Sequence, residues 1–376
     1  MKTDRRGLLA ATAGLSTLDP AMTGLFAQAS VPAPPSRDVF LANDTAFLSA
    51  DEFARSLAAM ANGADGDIYL QGGAVEALER RFATLLGKEA CVFLPTGTLA
   101  NHLAVKTLCG PNPRALCLYD SHIFRDERDS LPTLGEVALV PFSKGRIAPS
   151  ETEIDEAFSI ALKGPRPVAV GAVTLESPIR RLDGQMIPSA DIERIAARAR
   201  ANGTRLHLDG ARLLLAPPGL DIAAYTEPFD TVYVSLYKYL GAPFGAVLAG
   251  SGEIIEQVRA QAGIYGGQIF QGWVAALPAL EALKTFRSDY AKAWAVGEEL
   301  RSALKAAGHE FAEPIGPMGT NVHSLLIDEA RAKAIAAKGE SVGVYFADWQ
   351  AGRLRLQVNT SILNRSVADL VDVFEA

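Results

Sequence analysis

Lys238 stands where its side-chain amine could act as a nucleophile. It follows the apolar run 231–235 and has Tyr237, Tyr239 and Leu240 as close neighbours in the chain. Burial disfavours the charged ammonium form of lysine, and the neutral amine is the form that condenses with a carbonyl group. The segment therefore predicts a lysine that attaches a carbonyl compound covalently.

Two further segments could bind the other parts of such a compound. Asp209 ends the apolar run 205–208, and ligands of parallel sheets bind beyond the carboxyl ends of the strands. Gly97 and Thr98 follow the apolar run 90–94 and precede a helical stretch. The start of a helix offers free N–H groups and the positive end of its dipole, which bind phosphate, although a Gly-Thr pair is also a common helix cap.

These three segments match the three anchors of pyridoxal phosphate. The turn at Gly97 and Thr98 would bind the phosphate, and Asp209 would keep the pyridine nitrogen protonated. Lys238 would hold the aldehyde carbon as a Schiff base. The sequence thus predicts a pyridoxal-phosphate enzyme with Lys238 as its catalytic lysine.

The elements that must position these residues alternate between strands and helices. Short apolar runs predict buried strands, most of them separated by polar helical stretches such as 189–201; the runs are 90–94, 115–119, 137–140, 168–175, 205–208, 231–235 and 245–248. This alternation predicts an α/β fold with a mostly parallel sheet sandwiched by helices. We expect this large domain to cover residues 61–289.

The C-terminal part, residues 290–376, has a different pattern. A long helix is followed by three short strands, at 321–327, 343–346 and 353–358, and by a closing helix near 366–375. This order predicts a smaller α+β domain.

The N-terminal residues 1–29 have the features of an export signal. Arg5 and Arg6 precede a weakly apolar stretch, and Ala27-Gln28-Ala29 is typical of a cleavage site. Asp19 and Pro20 interrupt the stretch, which is too short for a permanent membrane anchor. We expect a twin-arginine signal that directs the chain to the periplasm; the alternative is an unstructured tail with two chance arginines. Residues 30–60 predict a proline-containing linker and an amphipathic helix over 50–61.

Charge and cysteine content exclude other classes. The net charge of −7 argues against a nucleic-acid partner, because phosphate binding needs a basic face. The three cysteines have no metal-ligand spacing, so we expect buried apolar side chains and no metal site.

The motifs together resemble the threonine aldolase and β-eliminating lyase family, whose members are fold-type I pyridoxal-phosphate enzymes with an aminotransferase-like fold. The segments that carry the resemblance are Gly66-Asp67-Ile68-Tyr69, Gly87-Lys88-Glu89-Ala90, Leu94 to Asn101, Leu175-Glu176, His207 to Arg212 and Lys238. Residues 94–101 are close to the family's L-P-T-G-T-x-A-N, and residues 207–212 match H-x-D-G-A-R. The resemblance covers nearly the whole chain after the signal.

The resemblance also implies roles for three further residues. His122 would stack over the cofactor ring, and Arg212 and Arg355 would hold the substrate carboxylate, as the guanidinium fork suits a carboxylate. A polar loop histidine is the alternative for His122, and Arg353 is a rival for Arg355. The family implies a small amino-acid substrate and a homodimer or homotetramer with active sites at the subunit boundary.

The chain departs from the family pattern around the substrate side chain. The family's L-R-S-D-T reads Leu41-Ala42-Asn43-Asp44-Thr45, its N-T-H reads Ser177-Pro178-Ile179, an arginine of the glycine-rich segment is absent from 266–272, and Tyr237 replaces a serine. The base for a β-hydroxyl group therefore stays open among Glu176, Tyr69 and His122 acting through a water.

The expected reaction is cleavage of a β-hydroxy-α-amino acid to glycine and an aldehyde. Other pyridoxal reactions on an amino acid are the first alternative: β-elimination, racemisation or transamination, which the missing histidine and the Arg180-Arg181 pair favour. A non-catalytic exported relative is the second alternative.

Overall fold

The structure, a computed structural model, describes residues 38–46, 48–163 and 165–375. The predicted signal lies outside the described residues, as do linker residues 30–37. The strands are β1 (Val39–Phe40), β2 (Ala90–Leu94), β3 (Arg114–Leu118), β4 (Ala138–Phe142), β5 (Ala172–Glu176), β6 (Arg205–Asp209), β7 (Thr231–Ser235), β8 (Ala246–Gly250), β9 (Glu310–Phe311), β10 (Val322–Leu326), β11 (Val344–Tyr345) and β12 (Arg353–Gln357).

Helices fill most of the connections between these strands. They are α1 (Ala50–Met60), α2 (Gly73–Leu85), α3 (Gly97–Cys109), α4 (His122–Arg125), α5 (Ser130–Gly135), α6 (Glu151–Leu162), α7 (Ser189–Ala201), α8 (Ile222–Thr226), α9 (Gly252–Ile264), α10 (Trp273–Ala282), α11 (Phe286–Ala306), α12 (Glu329–Ser341) and α13 (Val367–Val373). No helix among the described residues is long and apolar enough to cross a bilayer.

The central sheet has seven strands in the order β2-β8-β7-β6-β5-β3-β4. The strands from β7 to β4 pair in parallel, whereas β8 pairs antiparallel with both β7 and β2. No α-helix lies between β7 and β8, so the chain returns beside β7 in the opposite direction. The predicted α/β fold with a mostly parallel sheet is confirmed.

Both faces of this sheet are covered. In β2, Cys91 and Phe93 pack into one apolar core, and Val92 and Leu94 pack into a second core on the opposite face. This alternation follows from the twofold repeat of side chains along a strand. All three cysteines, including Cys109 and Cys117, are free and buried, as the sequence predicts.

The C-terminal part contains the antiparallel sheet β12-β10-β9 and a third apolar core. The N-terminal segment joins this core, because Val39 and Leu41 are buried in it and β1 pairs with β11. The described residues form one compact unit after residue 37. The domain boundaries at residues 60 and 289 stay predictions.

Candidate active site

A cavity of about 440 Å³ opens beyond the carboxyl ends of β6 and β7. We call it the central cavity. It brings together seven of the predicted site residues, which are Gly97, Thr98, His122, Glu176, Asp209, Arg212 and Lys238. Tyr69 and Arg355 lie elsewhere.

The turn at Gly97 and Thr98 forms the start of α3. Thr96 caps this helix, because its Oγ1 accepts a hydrogen bond from the N–H of Leu99 at 3.2 Å. A Cβ atom on Gly97 would lie 1.9 Å from the hydroxyl oxygen of Tyr233, so only glycine fits. The first turn of a helix has N–H groups without intrahelical partners, and Gly97 and Thr98 of this turn line the cavity, where such groups could bind an anion.

Asp209 is held at the end of β6 by a buried hydrogen-bond chain. The side-chain amide of Asn101 donates to Asp209 Oδ2 at 2.8 Å, and the N–H of Ala211 donates to Oδ1 at 3.1 Å. Asn101 Oδ1 in turn accepts from His207 Nε2 at 3.0 Å, which requires a proton on that nitrogen. Burial lowers the pKa of His207 to about 4, so the ring is neutral and Nδ1 accepts from the Thr231 hydroxyl.

Lys238 lies in the central cavity with a perturbed amine. Burial, together with the charge of Arg212, lowers the pKa of Lys238 to about 8, although Asp209, Asp44 and Glu176 oppose this shift. The neutral amine required for nucleophilic attack is therefore present in a substantial fraction near neutral pH.

His122 begins the short helix α4 and is paired with a buried carboxylate. Its Nδ1 lies 2.9 Å from Oε1 of Glu127, and the same oxygen accepts from Asn101 at 2.8 Å. Burial lowers the pKa of His122, but the hydrogen bond to Glu127 and the charge of Asp209 outweigh it, so the pKa is raised. Glu127 therefore orients the ring of His122 and raises its pKa.

Glu176 is buried at the end of β5. Its two carboxylate oxygens accept hydrogen bonds from the backbone N–H groups of His122, at 2.6 Å, and Arg180, at 2.8 Å. Burial, with the nearby charge of Asp209, raises the pKa of Glu176. The raised pKa makes the Glu176 carboxylate a stronger base, but both of its oxygens already accept backbone hydrogen bonds.

Arg212 and Arg355 border a second cavity of about 200 Å³, which we call the outer cavity. Arg212 also lines the central cavity, and its Nε donates to Asp44 at 2.9 Å in a largely buried pair. Arg355 is half-exposed and pairs with Asp183 at 3.1 Å. The structure thus places both arginines around one space, but only Arg212 reaches the central cavity.

Tyr69 does not line the central cavity. Its side chain is exposed and packs edge-on against Phe270, with ring centroids 5.4 Å apart. The roles of the nine predicted residues stay predictions. The catalytic role predicted for Tyr69 has the least support, because its side chain lies outside the central cavity.

Sequence reasoning missed the contributions of Asn101, Glu127 and Asp44. Asn101 is the last residue of the motif 94–101, and Glu127 lies five residues after His122; these positions are signals that could have been used. Asp44 lies 168 residues from Arg212 along the chain, so no local pattern reveals that pair.

Comparisons with known proteins agree with these motifs. The sequence model described as β-eliminating lyase matches residues 41–331. The low specificity L-threonine aldolase of Saccharomyces cerevisiae is 29% identical over 292 residues, which are 74% of this chain and 73% of that protein. Alanine racemase TOXG of Cochliobolus carbonum is 28% identical over 281 residues, 74% of this chain and 70% of that protein.

A solved structure is similar in fold. The Leishmania major threonine aldolase covers 90% of this chain and 98% of its own, with a TM-score of 0.72 and 17% identity. The family model covers most of the chain, and the resemblance expected from the motifs is confirmed. The chain therefore belongs to the β-eliminating lyase family.

Proposed function

We propose that this chain is a pyridoxal-phosphate-dependent lyase of threonine-aldolase type. It cleaves the Cα–Cβ bond of a β-hydroxy-α-amino acid and releases glycine and an aldehyde. The observation that carries the proposal is the convergence of the α3 turn, Asp209 and Lys238 on one cavity. The similarity to low specificity L-threonine aldolases supports the reaction type.

The residues present fit pyridoxal phosphate. Gly97 leaves room beside Tyr233 that a Cβ atom would fill, so N–H groups of the first turn can approach a phosphate closely. Asp209 is fixed by Asn101 and can pair with a protonated ring nitrogen. Lys238 offers an amine with a lowered pKa for the aldehyde.

The chain's own residues then divide the remaining tasks. When bound, pyridoxal phosphate withdraws electrons from Cα of an attached amino acid and weakens the bonds to that atom. Arg212 holds the substrate carboxylate at the border of the central cavity, with Arg355 beyond it. Since Nδ1 of His122 faces Glu127, its Nε2 is the nitrogen available to take the β-hydroxyl proton, directly or through a water.

The direct test is a product assay on the purified protein supplied with pyridoxal phosphate. Incubation with threonine and allo-threonine should release glycine and acetaldehyde in equal amounts. Lys238→Ala should lower kcat by about a hundredfold or more, because the catalytic amine is lost. A protein that binds no pyridoxal phosphate would be the non-catalytic relative instead, and one that binds it but cleaves no β-hydroxy-α-amino acid would contradict the lyase proposal.

Racemisation is a second candidate, because one relative of similar identity carries the name alanine racemase. A racemase exchanges the Cα proton and leaves the Cα–Cβ bond intact. Incubation of alanine in deuterated water, followed by chiral chromatography and mass spectrometry, separates the two reactions. Deuterium in both enantiomers without glycine release favours the racemase.

We also propose that the chain forms a homodimer or homotetramer. Helix α1 buries none of its residues, although Phe53, Leu57 and Met60 give it an apolar side. Tyr69 and Phe270 form an exposed aromatic pair. Apolar surface of this kind favours association between chains. Size-exclusion chromatography with light scattering measures the mass of the assembly directly.

Export to the periplasm by the twin-arginine route is the last part of the proposal. It is supported by the Arg5-Arg6 pair and the Ala27-Gln28-Ala29 triplet. Cell fractionation should find the wild-type protein in the periplasm, shortened at its N-terminus. Replacement of Arg5 and Arg6 by lysine should retain it, uncleaved, in the cytoplasm; periplasmic recovery of that variant would contradict the proposal.

A further inference from the structure

A third cavity of about 270 Å³ lies next to the central cavity, and we call it the side cavity. The two cavities share four lining residues, which are His122, Arg212, Tyr237 and Lys238. An amino-acid substrate that reacts at Lys238, with its carboxylate on Arg212, therefore has the side cavity available for its side chain.

Residues with polar or charged groups line the side cavity. The residues that complete it are Asn43, Asp44, Thr45 and Arg180. Every lining residue carries a polar or charged group, and none has an aliphatic side chain. A charged group on the substrate side chain finds hydrogen-bond partners on such a wall.

Of the two arginines in this wall, Arg180 has the longer ion pair. Its backbone is fixed, since its N–H donates to Glu176 at 2.8 Å. Its guanidinium lies 3.8 Å from Asp126 Oδ2 and is 54% exposed. Asp126 is already engaged by Arg181, which donates to both of its carboxylate oxygens, at 3.2 Å from Nε and closer from Nη2.

The two other arginines that border the outer cavity form closer ion pairs, although Asp183 also lies 3.5 Å from Arg353. Arg212 pairs with Asp44 at 2.9 Å, and Arg355 pairs with Asp183 at 3.1 Å. These arginines and Arg180 border the outer cavity together. One substrate carboxylate can be held by Arg212 and Arg355, which leaves Arg180, with its longer ion pair of 3.8 Å to Asp126, as a third guanidinium that can bind an anion.

Building on the proposed function, we infer that Arg180 is a specificity-determining residue that binds a second carboxylate, on the substrate side chain. The substrate class is then a β-hydroxy-α-amino dicarboxylic acid. With β-hydroxyaspartate, the Cα–Cβ bond breaks, the β-hydroxyl loses its proton and becomes an aldehyde carbonyl, and Cα gains a proton. The products are glycine and glyoxylate, and no oxidant or reductant is needed.

The test compares β-hydroxyaspartate with threonine on the holoenzyme, because the two differ only in a carboxylate in place of a methyl group. We expect kcat/KM to favour β-hydroxyaspartate by about tenfold or more, and Arg180→Gln to reduce that preference about 10- to 100-fold. Arg180→Lys should keep part of the preference for β-hydroxyaspartate.

The matched control is Arg198→Gln on α7. Arg198 is similarly exposed, pairs with Asp155 at 3.2 Å and lines none of the three cavities.

A second readout separates this inference from the reaction itself. Aspartate and asparagine have the same shape, and their affinities can be compared through the absorbance of the bound cofactor. We expect aspartate to bind about tenfold more tightly, and Arg180→Gln to remove the difference. Threonine cleavage without a preference for the dicarboxylate overturns the inference and leaves the proposed function standing. Selective aspartate binding without any cleavage overturns the proposed function and leaves the role of Arg180 standing. Equal affinities for aspartate and asparagine overturn the inference about Arg180, whether or not the enzyme cleaves threonine.

Discussion

The charge of Lys238 depends on burial acting against three neighbouring carboxylates. Desolvation is the largest effect on its pKa, and the charge of Arg212 acts in the same direction. Asp209, Asp44 and Glu176 favour the charged form but do not restore the ordinary value. The pKa of about 8 therefore reflects how deeply the amine lies in the fold rather than a single partner.

This pKa predicts how the apo-protein takes up its cofactor. A lysine whose pKa is lowered loses its proton at lower pH, so the rate of covalent attachment of pyridoxal phosphate should rise as pH increases through about 8. An ordinary lysine would place this rise near about 10.4. Stopped-flow absorbance measures the rate, and Lys238→Ala, which cannot attach the cofactor, is the control. A rate that rises only near the ordinary value would contradict the prediction.

The pair formed by His122 and Glu127 gives a second prediction. Since the hydrogen bond to Glu127 raises the pKa of His122, Glu127→Gln should lower it, and the imidazole should lose its proton at lower pH. NMR titration of the ring protons measures this shift, with His122→Asn to assign the signal. Glu193→Gln, at an exposed position on α7, should leave the titration unchanged. An unchanged His122 pKa in Glu127→Gln would show that the carboxylate does not control the ring.

Among the site residues, the sequence predicted those that belong to local segments. Gly97 and Lys238 follow strands and Asp209 ends one, and the parallel sheet brings such positions to one edge. Glu127 and Asp44 were missed, because their importance comes from partners that only the folded chain brings within hydrogen-bond distance.

At the scale of elements, the start of α3 is fitted closely to β7. Gly97 touches the Tyr233 hydroxyl, and a Cβ atom there would be only 1.9 Å from it. Gly97→Ala should therefore force the helix away from the strand and destabilise the apo-protein by about 1–3 kcal/mol, measured by urea unfolding. Gly66→Ala is the control, since its Cβ would meet Trp273 at an ordinary 3.7 Å. Equal stabilities of the two variants would contradict this account of the turn.

The strand and helix pattern predicted most elements but not every boundary or direction. The predicted strand at 168–175 begins at Ala172, because the N–H of Val168 donates back to Ala161 at the end of α6 instead of joining the sheet. The antiparallel direction of β8 was not predicted. The missing helix between β7 and β8 is the signal, since a parallel neighbour needs a long crossover.

At the scale of the whole molecule, residues near the N-terminal end of the described chain connect the two main sheets. Strand β1 pairs with β11, and the side-chain amide of Asn359 donates to the carbonyl groups of Phe40 and Asn43. Asp44 accepts from Gln357 at the end of β12 and also pairs with Arg212, which follows β6. A single carboxylate therefore links the C-terminal sheet to the wall of the central cavity.

This link predicts a strong coupling between Asp44 and Arg212. Their side chains are 11% and 15% exposed, so removing either partner leaves a largely buried charge without compensation. Asp44→Ala and Arg212→Ala should each destabilise the apo-protein by on the order of 3 kcal/mol, and the double variant should lose less than the sum. Urea unfolding of all four proteins gives the coupling energy. The exposed pair Arg198–Asp155 should give about 0–1 kcal/mol in the same cycle, and a coupling no larger for Asp44–Arg212 would contradict the strong link between these two residues.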